Sequence, residues 1–230
     1  MIISSPSYII PGTYAENVIF ADKNLSDLSG MELLFFFFDD ETEKLFINER
    51  KVIEKYKQRF KFTVHLPDDI KPENERILDM TSEFAIGFVV HPPENITDEK
   101  ISLLKKWISD YGNRFYIENL IGRSAFSLID RMDDLPGYNP KLCLDTGHLL
   151  LNNQNPTEYF NRHFTNISEI HLHGVIDNKD HEPFNGNESW FLEMIPLLKR
   201  FNGIINLELF NYEQIKSSLS ILKKSGISVK

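Results

Sequence analysis

The sequence predicts a (β/α)8 barrel in which residues 1–230 form one domain, and three observations favour this fold. Eight short apolar segments alternate with eight segments of helical periodicity. This alternation runs along the chain without a long linker or a change of composition. No Gly-rich phosphate loop follows an early strand, which disfavours the alternative of a doubly wound open sheet. Eight strand-helix units in 230 residues are the minimal outline of a (β/α)8 barrel.

The predicted strands are apolar runs bounded by polar, Gly or Pro residues. The run MELLFFFF is bounded by Gly30 and Asp39 and is apolar enough to be buried on both faces. The eight predicted strands cover residues 2–10, 31–38, 61–66, 86–90, 115–117, 142–144, 169–174 and 204–209. The predicted helices cover residues 15–28, 48–59, 73–83, 97–111, 124–132, 156–164, a segment that ends near residue 200, and residues 212–224. Thr97 is expected to cap the fourth helix, and Pro156 suits the first turn of the sixth.

Composition narrows the classes of function. The hydrophobic content of 41% and charged content of 26% are ordinary for a soluble globular protein. No apolar stretch is long enough to span a membrane, and the first residues lack the features of a signal peptide, so we expect a cytoplasmic protein. The net charge of −9 argues against extended contact with nucleic acid and favours a small-molecule substrate. The sequence does not indicate an oligomeric state.

Histidine and carboxylate residues gather at the C-terminal ends of the predicted strands. In a barrel of parallel strands these ends face one shared mouth, and neighbouring strands lie under about 5 Å apart. Five of the seven histidines fall on four of these strand ends, and a sixth, His181, lies in the loop after the seventh strand. The strand-end residues are Glu32, His65, His91, Glu118, Asp145, His148, His171, His173 and Glu208.

This set of residues predicts a metal site. Imidazole nitrogen and carboxylate oxygen are ligands for zinc, manganese and iron. Glu118 and Glu208 lie in apolar strands, where an unpaired carboxylate would be costly, and no strand end supplies a Lys or Arg. A lone histidine such as His65 is usually an ordinary core residue, so the prediction depends on the set as a whole. His163, near the end of a predicted helix, is expected to lie at the surface.

The motifs at the strand ends also resemble a known group of proteins. His65, His91 and Glu118, followed by LDTGH, HLH and Glu208, resemble the xylose-isomerase-like TIM-barrel superfamily, which includes endonuclease IV and sugar epimerases. Within it, FTVHLP, VVHPP, IENL, CLDTGHLLL, and IHLHGV followed by KDH look most like the cobamide-remodelling phosphodiesterases, which act on the nucleotide loop of corrinoid cofactors. The resemblance covers nearly the whole chain. LDTGH is moderately specific for the superfamily, and its combination with TVHLP, HLHGV and KDH indicates the subfamily.

The resemblance implies two or three divalent ions per chain, with zinc or manganese expected. The implied ligand sets are His65, His91 and Glu118 for one ion; Glu118, Asp145, His171 and Glu208 for a second; and His148, Asp180 and His181 for a third. The endonuclease pattern separates the Asp and His after strand seven by two positions, whereas Asp180 and His181 are adjacent, which leaves the third ion open. Whether His171 or His173 is the ligand from strand seven also stays open.

Further roles are expected for residues of the same set. Glu118, Glu208 and His148 are expected to take part in catalysis. His173, Glu32 and Asn119 are expected to contact the substrate.

Three functions follow from these expectations. The first is a metal-dependent phosphodiesterase that acts on the nucleotide loop of cobamides. The alternative is a sugar or sugar-phosphate isomerase or epimerase, in which one ion polarises a carbonyl and hydroxyl pair while Glu118 and Glu208 shuttle the proton. His65 and His91 discriminate between the two, since a one-metal isomerase does not need them. The third is a non-catalytic module that binds a corrinoid or another metabolite.

Overall fold

A computed structural model describes residues 1–227 and contains a closed barrel of eight parallel strands. The barrel strands are β1 (Ile2–Pro6), β2 (Gly30–Leu34), β3 (Lys61–His65), β4 (Ala85–Val90), β5 (Phe115–Glu118), β6 (Lys141–Asp145), β7 (Ile167–His171) and β10 (Ile204–Asn206). Between β7 and β10 the chain forms two further strands, β8 (Gly174–Ile176) and β9 (Lys179–Glu182), which pair with each other in a separate hairpin. Around the barrel its eight strands follow their order in the chain, and β10 closes it by pairing with both β7 and β1. The predicted barrel is confirmed.

Helices alternate with the strands as the sequence predicts. They are α1 (Tyr14–Asn24), α2 (Asp40–Glu54), α3 (Glu75–Thr81), α4 (Asp98–Tyr111), α5 (Ala125–Asp130), α6 (Thr146–Leu151), α7 (Pro156–His163), α8 (Ser189–Arg200) and α9 (Tyr212–Lys224). Thr97 is the N-cap of α4, because its side chain accepts a hydrogen bond from the backbone N–H of Lys100. Pro156 occupies the first turn of α7, where its missing N–H is no loss. The α6 helix was not predicted.

The hydrophobic core fills the space between the barrel and its helices. Every residue of β2 is buried, which confirms that this strand is covered on both faces. Trp107 of α4 stacks on Phe115 of β5, with their ring centroids 6.4 Å apart. The strand predicted at residues 31–38 is too long, because β2 ends at Leu34 and Phe36 and Phe37 point into solvent.

An antiparallel hairpin follows β7 where the sequence predicts a strand to residue 174 and then a polar loop. Strands β8 and β9 are joined by Asp177 and Asn178, whose φ angles are +52° and +59°. Two consecutive left-handed residues are typical of the tight turns that match the twist of a hairpin, and Asn and Asp tolerate that conformation best. The hairpin packs against α6 at the mouth of the barrel.

Within residues 1–227, no helix is both long and apolar enough to cross a lipid bilayer.

The loop between β1 and α1 is held by Asn17, a buried side chain with four hydrogen bonds. Its Oδ1 accepts from the N–H groups of Ile9 and Ile10 at 2.7 and 3.0 Å, and its Nδ2 donates to the carbonyls of Ile10 and Thr13. Asn17→Ala leaves these buried groups unpaired, so we expect it to lower the free energy of unfolding by roughly 2–3 kcal/mol in denaturant titrations. The exposed Asn24 makes one bond within its own helix, and Asn24→Ala is the matched control. Equal stabilities of the two variants would contradict this role.

Candidate metal centre

The barrel brings the predicted residues together at its mouth. His65, Glu118, Asp145 and His171 are the last residues of β3, β5, β6 and β7, and His91 follows β4 directly. Asp145 lies opposite His171 in the register of β6 and β7. Most of these side chains are buried, with Glu118 only 1% exposed. Buried charges are stable only when they are paired or bound to a metal.

The central set contains Glu118, Asp145, His171 and Glu208. Nδ1 of His171 lies 3.1 Å from Oε2 of Glu208, 3.7 Å from Oε2 of Glu118 and 3.9 Å from Oδ2 of Asp145. Although they lie 3.1 Å apart, His171 Nδ1 and Glu208 Oε2 are not aligned for a hydrogen bond, and both atoms are buried without another hydrogen-bond partner among the described residues. Unpaired nitrogen and oxygen atoms that converge on one point can act as the ligands of a divalent ion, and this mixture of nitrogen and oxygen ligands suits zinc or manganese.

A second set contains His65, His91 and Glu118. Nε2 of His65 and Nε2 of His91 lie 3.2 and 3.1 Å from the same oxygen, Oε2 of Glu118. Each ring is oriented by its other nitrogen. Nδ1 of His65 donates to the carbonyl of Leu66 at 2.9 Å, and Nδ1 of His91 donates to Asp68 at 2.9 Å. A carboxylate or carbonyl behind the imidazole is the usual support of a metal-binding histidine, so this set fits a second ion that shares Glu118 with the first.

Arg123 supports this second set from outside. Its guanidinium donates to both carboxylate oxygens of Asp68, at 2.8 and 3.1 Å. This bidentate contact fixes the carboxylate that orients His91. Asp68 and Arg123 are not among the residues predicted from the strand-end pattern. The position of Asp68 three residues after His65 was the available signal for one of them.

The third set lies between α6 and the hairpin. Nε2 of His148 is 3.7 Å from Oδ2 of Asp180, and Nδ1 of His181 is 3.1 Å from Oδ1 of Asp180. Nε2 of His181 reaches within 3.4 Å of Oε2 of Glu208, next to the central set. Adjacent residues of a regular strand point to opposite faces, but His181 has a φ of +54°. This left-handed backbone allows both adjacent residues to approach the site.

The first three residues of the DTGH motif each have a structural role. Asp145 caps α6 by accepting from the N–H of His148 at 2.7 Å. The Thr146 hydroxyl donates to the carbonyl of His173 at 2.7 Å and so joins the ends of β6 and β7. A Cβ atom at Gly147 would lie 2.1 Å from the ring of His173, so only glycine fits there.

His173 lies behind the central set, where both of its ring nitrogens are engaged. Its Nε2 donates to Oδ2 of Asp145 at 3.0 Å, and its Nδ1 accepts from the N–H of His181 at 2.9 Å. The ring is fully buried. His173 orients a carboxylate of the central set, and its contact with a substrate stays a prediction. Nε2 of His173 also lies 3.6 Å from Oε2 of Glu208, so His171 and His173 both remain candidates for the ligand from strand seven.

Glu32 and Asn119 likewise hold other residues of the site in place. Glu32 Oε2 lies 3.3 Å from Nε2 of His171, and its Oε1 accepts from Nδ2 of Asn206 at 2.7 Å. Asn119 accepts from the N–H of Asp145 and donates to its carbonyl. Both side chains are buried, and their contact with a substrate stays a prediction. Glu32 selects the ring nitrogen that His171 presents to the centre.

Opposite charges shift the pKa values of these groups strongly. Burial alone would raise the pKa of Glu118, but the charges of His91 and His171 hold it well below its usual range. Burial alone would lower the pKa values of His91 and His148, yet nearby carboxylates raise the pKa to about 9 in His91 and to about 10 in His148. Glu118 is therefore ionised, and His91 and His148 carry a proton at neutral pH when no metal is bound.

These raised values predict that protons compete with metal binding well above neutral pH. Imidazole must be neutral to bind an ion, so the apparent affinity for zinc should rise as pH increases from 7 towards 10 and should level off above the pKa of His148. Binding should release protons over the same range. Calorimetric titration in buffers of different ionisation enthalpy measures both effects. An affinity that levels off near pH 7.5, as ordinary histidines would give, would contradict the shifts.

Comparisons with known proteins were made by family models, by curated proteins and by solved structures. No family model and no curated protein matches the chain. A D-tagatose 3-epimerase-like protein matches it with a TM-score of 0.68 and 19% identity, over 98% of this chain and 97% of the other. The 3-keto-D-glucoside 4-epimerase of E. coli matches with a TM-score of 0.63 and 14% identity, over 98% of this chain and 99% of the other. An AP endonuclease, family 2, of Brucella melitensis matches with a TM-score of 0.67 and 16% identity, over 97% of this chain and 99% of the other. These similar structures are enzymes, and the chain has the xylose-isomerase-like TIM-barrel fold.

Proposed function

We propose that the chain is a metal-dependent hydrolase that cleaves a phosphodiester in a small molecule and holds two or three divalent ions. One observation carries the proposal. Nε2 of His65 and Nε2 of His91 both lie within 3.2 Å of Glu118, next to the central set of ligands. A second ion that shares Glu118 with the first is an arrangement typical of phosphoester hydrolases, and an isomerase with one ion has no need of it.

Divalent ions in these positions would supply Lewis acidity towards phosphate oxygens and would lower the pKa of a water molecule. The residues of the chain account for the remaining steps. The surrounding histidines hold the pKa values of Glu118 and Glu208 well below the usual range, so both carboxylates are ionised and would orient the attacking water by accepting hydrogen bonds from it. His148 is 12% exposed in its side chain and lies at the open edge of the site, where it can contact a phosphate oxygen.

The proposed substrate is the nucleotide loop of a cobamide, which would be cleaved to release its nucleoside from the corrinoid phosphate. This choice is supported by the resemblance of the TVHLP, HLHGV and KDH motifs described above. The net charge of −9 also favours a small molecule over duplex DNA.

A sugar isomerase or epimerase is the second candidate, and two observations favour it. Most of the similar structures named above are epimerases. The central set alone, with Glu118, Asp145, His171 and Glu208, provides the ligands for one ion. The two glutamates would then move a proton between neighbouring carbons of the sugar in an isomerase, or remove it from one face of a carbon and return it to the other face in an epimerase. At the level of the fold, the comparisons support this candidate more than a cobamide phosphodiesterase.

Metal content distinguishes the two candidates. We expect elemental analysis of the purified protein to give two or three ions per chain. His91→Ala should lower this number by one, because it removes a ligand of the second set but none of the central set. His163, which lies on α7 against the rings of Phe126 and Tyr159, provides the control His163→Ala. One ion per chain that survives in His91→Ala would favour the isomerase.

Turnover provides an independent test of the reaction. We expect the metal-loaded protein to cleave a cobamide phosphodiester and to leave ketohexoses unchanged. His91→Ala should reduce cleavage by more than about 100-fold, since loss of a partner behind a metal ligand already costs about 10- to 100-fold. Conversion of a ketohexose with cobamides intact would support the second candidate. Tight binding of a cobamide without turnover of either compound would instead indicate a binding module.

A further inference from the structure

Three aromatic side chains stand together at one side of the barrel mouth, and we call Tyr8, Phe36 and Phe210 the aromatic cluster. They lie in the loops that follow β1, β2 and β10, which are neighbours in the barrel. Phe210 lies at the centre of the cluster. Its ring centroid is 6.4 Å from that of Tyr8 and 5.7 Å from that of Phe36, with interplanar angles of 70° and 74°.

The aromatic cluster is continuous with the candidate metal centre. The ring of Phe210 lies 5.0 Å from the ring of His181, and Nε2 of His181 lies 3.4 Å from Oε2 of Glu208. A molecule whose polar group reaches Glu208 and His181 would therefore place its next group against Phe210.

The side chains of Tyr8 and Phe36 are exposed and do not contribute to the buried core of the fold. Tyr8 is 47% exposed and Phe36 is 53% exposed, whereas Phe35, the neighbour of Phe36 in the chain, is fully buried. Single exposed apolar residues are normal, but exposed aromatics grouped beside a polar site are typical of a binding surface. The adjoining cleft is lined largely by apolar side chains, among them Leu34 and Leu45.

We infer that the aromatic cluster binds a planar heteroaromatic ring of the substrate, of the size of a nucleobase, by stacking against Tyr8 and Phe36. The inference rests on the proposed function for the phosphate, which would occupy the metal centre. Aromatic faces stack on flat rings of any base, whereas the hydroxyl groups of a sugar need polar partners. A substrate with a ring close to its phosphate fits both parts of the mouth.

The test measures binding to the zinc-loaded protein by calorimetry with three probes. Adenosine 5′-monophosphate carries a ring and a phosphate, ribose 5-phosphate carries the phosphate alone, and adenosine carries the ring alone. We expect the wild type to bind adenosine 5′-monophosphate about tenfold more tightly than ribose 5-phosphate, because stacking on a side chain contributes about that much.

Variants then separate the aromatic cluster from the phosphate site. Phe36→Ala and Tyr8→Ala should each remove most of the tenfold preference for the ring and should leave the affinity for ribose 5-phosphate unchanged. Phe36→Trp should retain the preference. Phe164→Ala changes an aromatic residue that is 40% exposed and precedes β7, at the opposite end of the barrel, and is the matched control. Circular dichroism during thermal unfolding checks that the variants are folded.

The three probes also keep two kinds of failure apart. Equal affinities of the wild type for the two phosphates would overturn the inference and would leave the proposed hydrolase untouched. If the wild type binds adenosine but not ribose 5-phosphate, and Phe36→Ala abolishes the binding of adenosine, the result would support the ring site and contradict the proposed function. Self-association that Phe36→Ala abolishes, without binding of adenosine, would show that the cluster is an interface between copies and would overturn the inference.

Discussion

The site depends on Glu118, a fully buried carboxylate that several histidines share. Nε2 of His65 and of His91 lie within 3.2 Å of one of its oxygens, and Nδ1 of His148 lies 3.3 Å from the other. An isolated carboxylate in this position would cost several kcal/mol in desolvation, so its imidazole partners are required for stability as much as for chemistry. Those partners come from β3, from the end of β4 and from α6. They meet only because the barrel is closed and its strands are in register.

The fold could be predicted from the sequence because each barrel strand is a short apolar run between helical segments. The exceptions have physical reasons. The run of phenylalanines after Leu34 has the pattern of a buried strand, but β2 ends where its hydrogen bonds to β3 end, and Phe36 and Phe37 turn outwards. The hairpin after β7 pairs a strand of only three residues, GVI, with a polar strand, KDHE, so neither strand has an apolar alternation long enough to detect. Its turn at Asp177 and Asn178 was the available signal.

The membership of the candidate site could also be predicted, because parallel strands place their C-terminal ends in one mouth. The role of each residue within the site could not be predicted. Glu32, Asn119 and His173 have the residue types of ligands or substrate contacts, yet in the structure Glu32 and His173 contact the side chains of other site residues and Asn119 bonds the backbone of Asp145. That distinction depends on which nitrogen or oxygen faces the centre, and a one-dimensional pattern contains no such information. The need for Gly147 beside the ring of His173 is hidden for the same reason.

The hairpin of β8 and β9 has a consequence for how this barrel can change over evolution. Most ligand-type residues of the first two sets end barrel strands, where the hydrogen-bond ladder of a closed sheet fixes their spacing. Asp180 and His181 instead lie on an appended hairpin, and their joint approach depends on the backbone conformation of one residue, His181. Insertions or deletions in that hairpin would remodel the third set without shifting the ladder. One connecting segment can therefore diversify the chemistry of the mouth while the barrel that supports it is inherited unchanged.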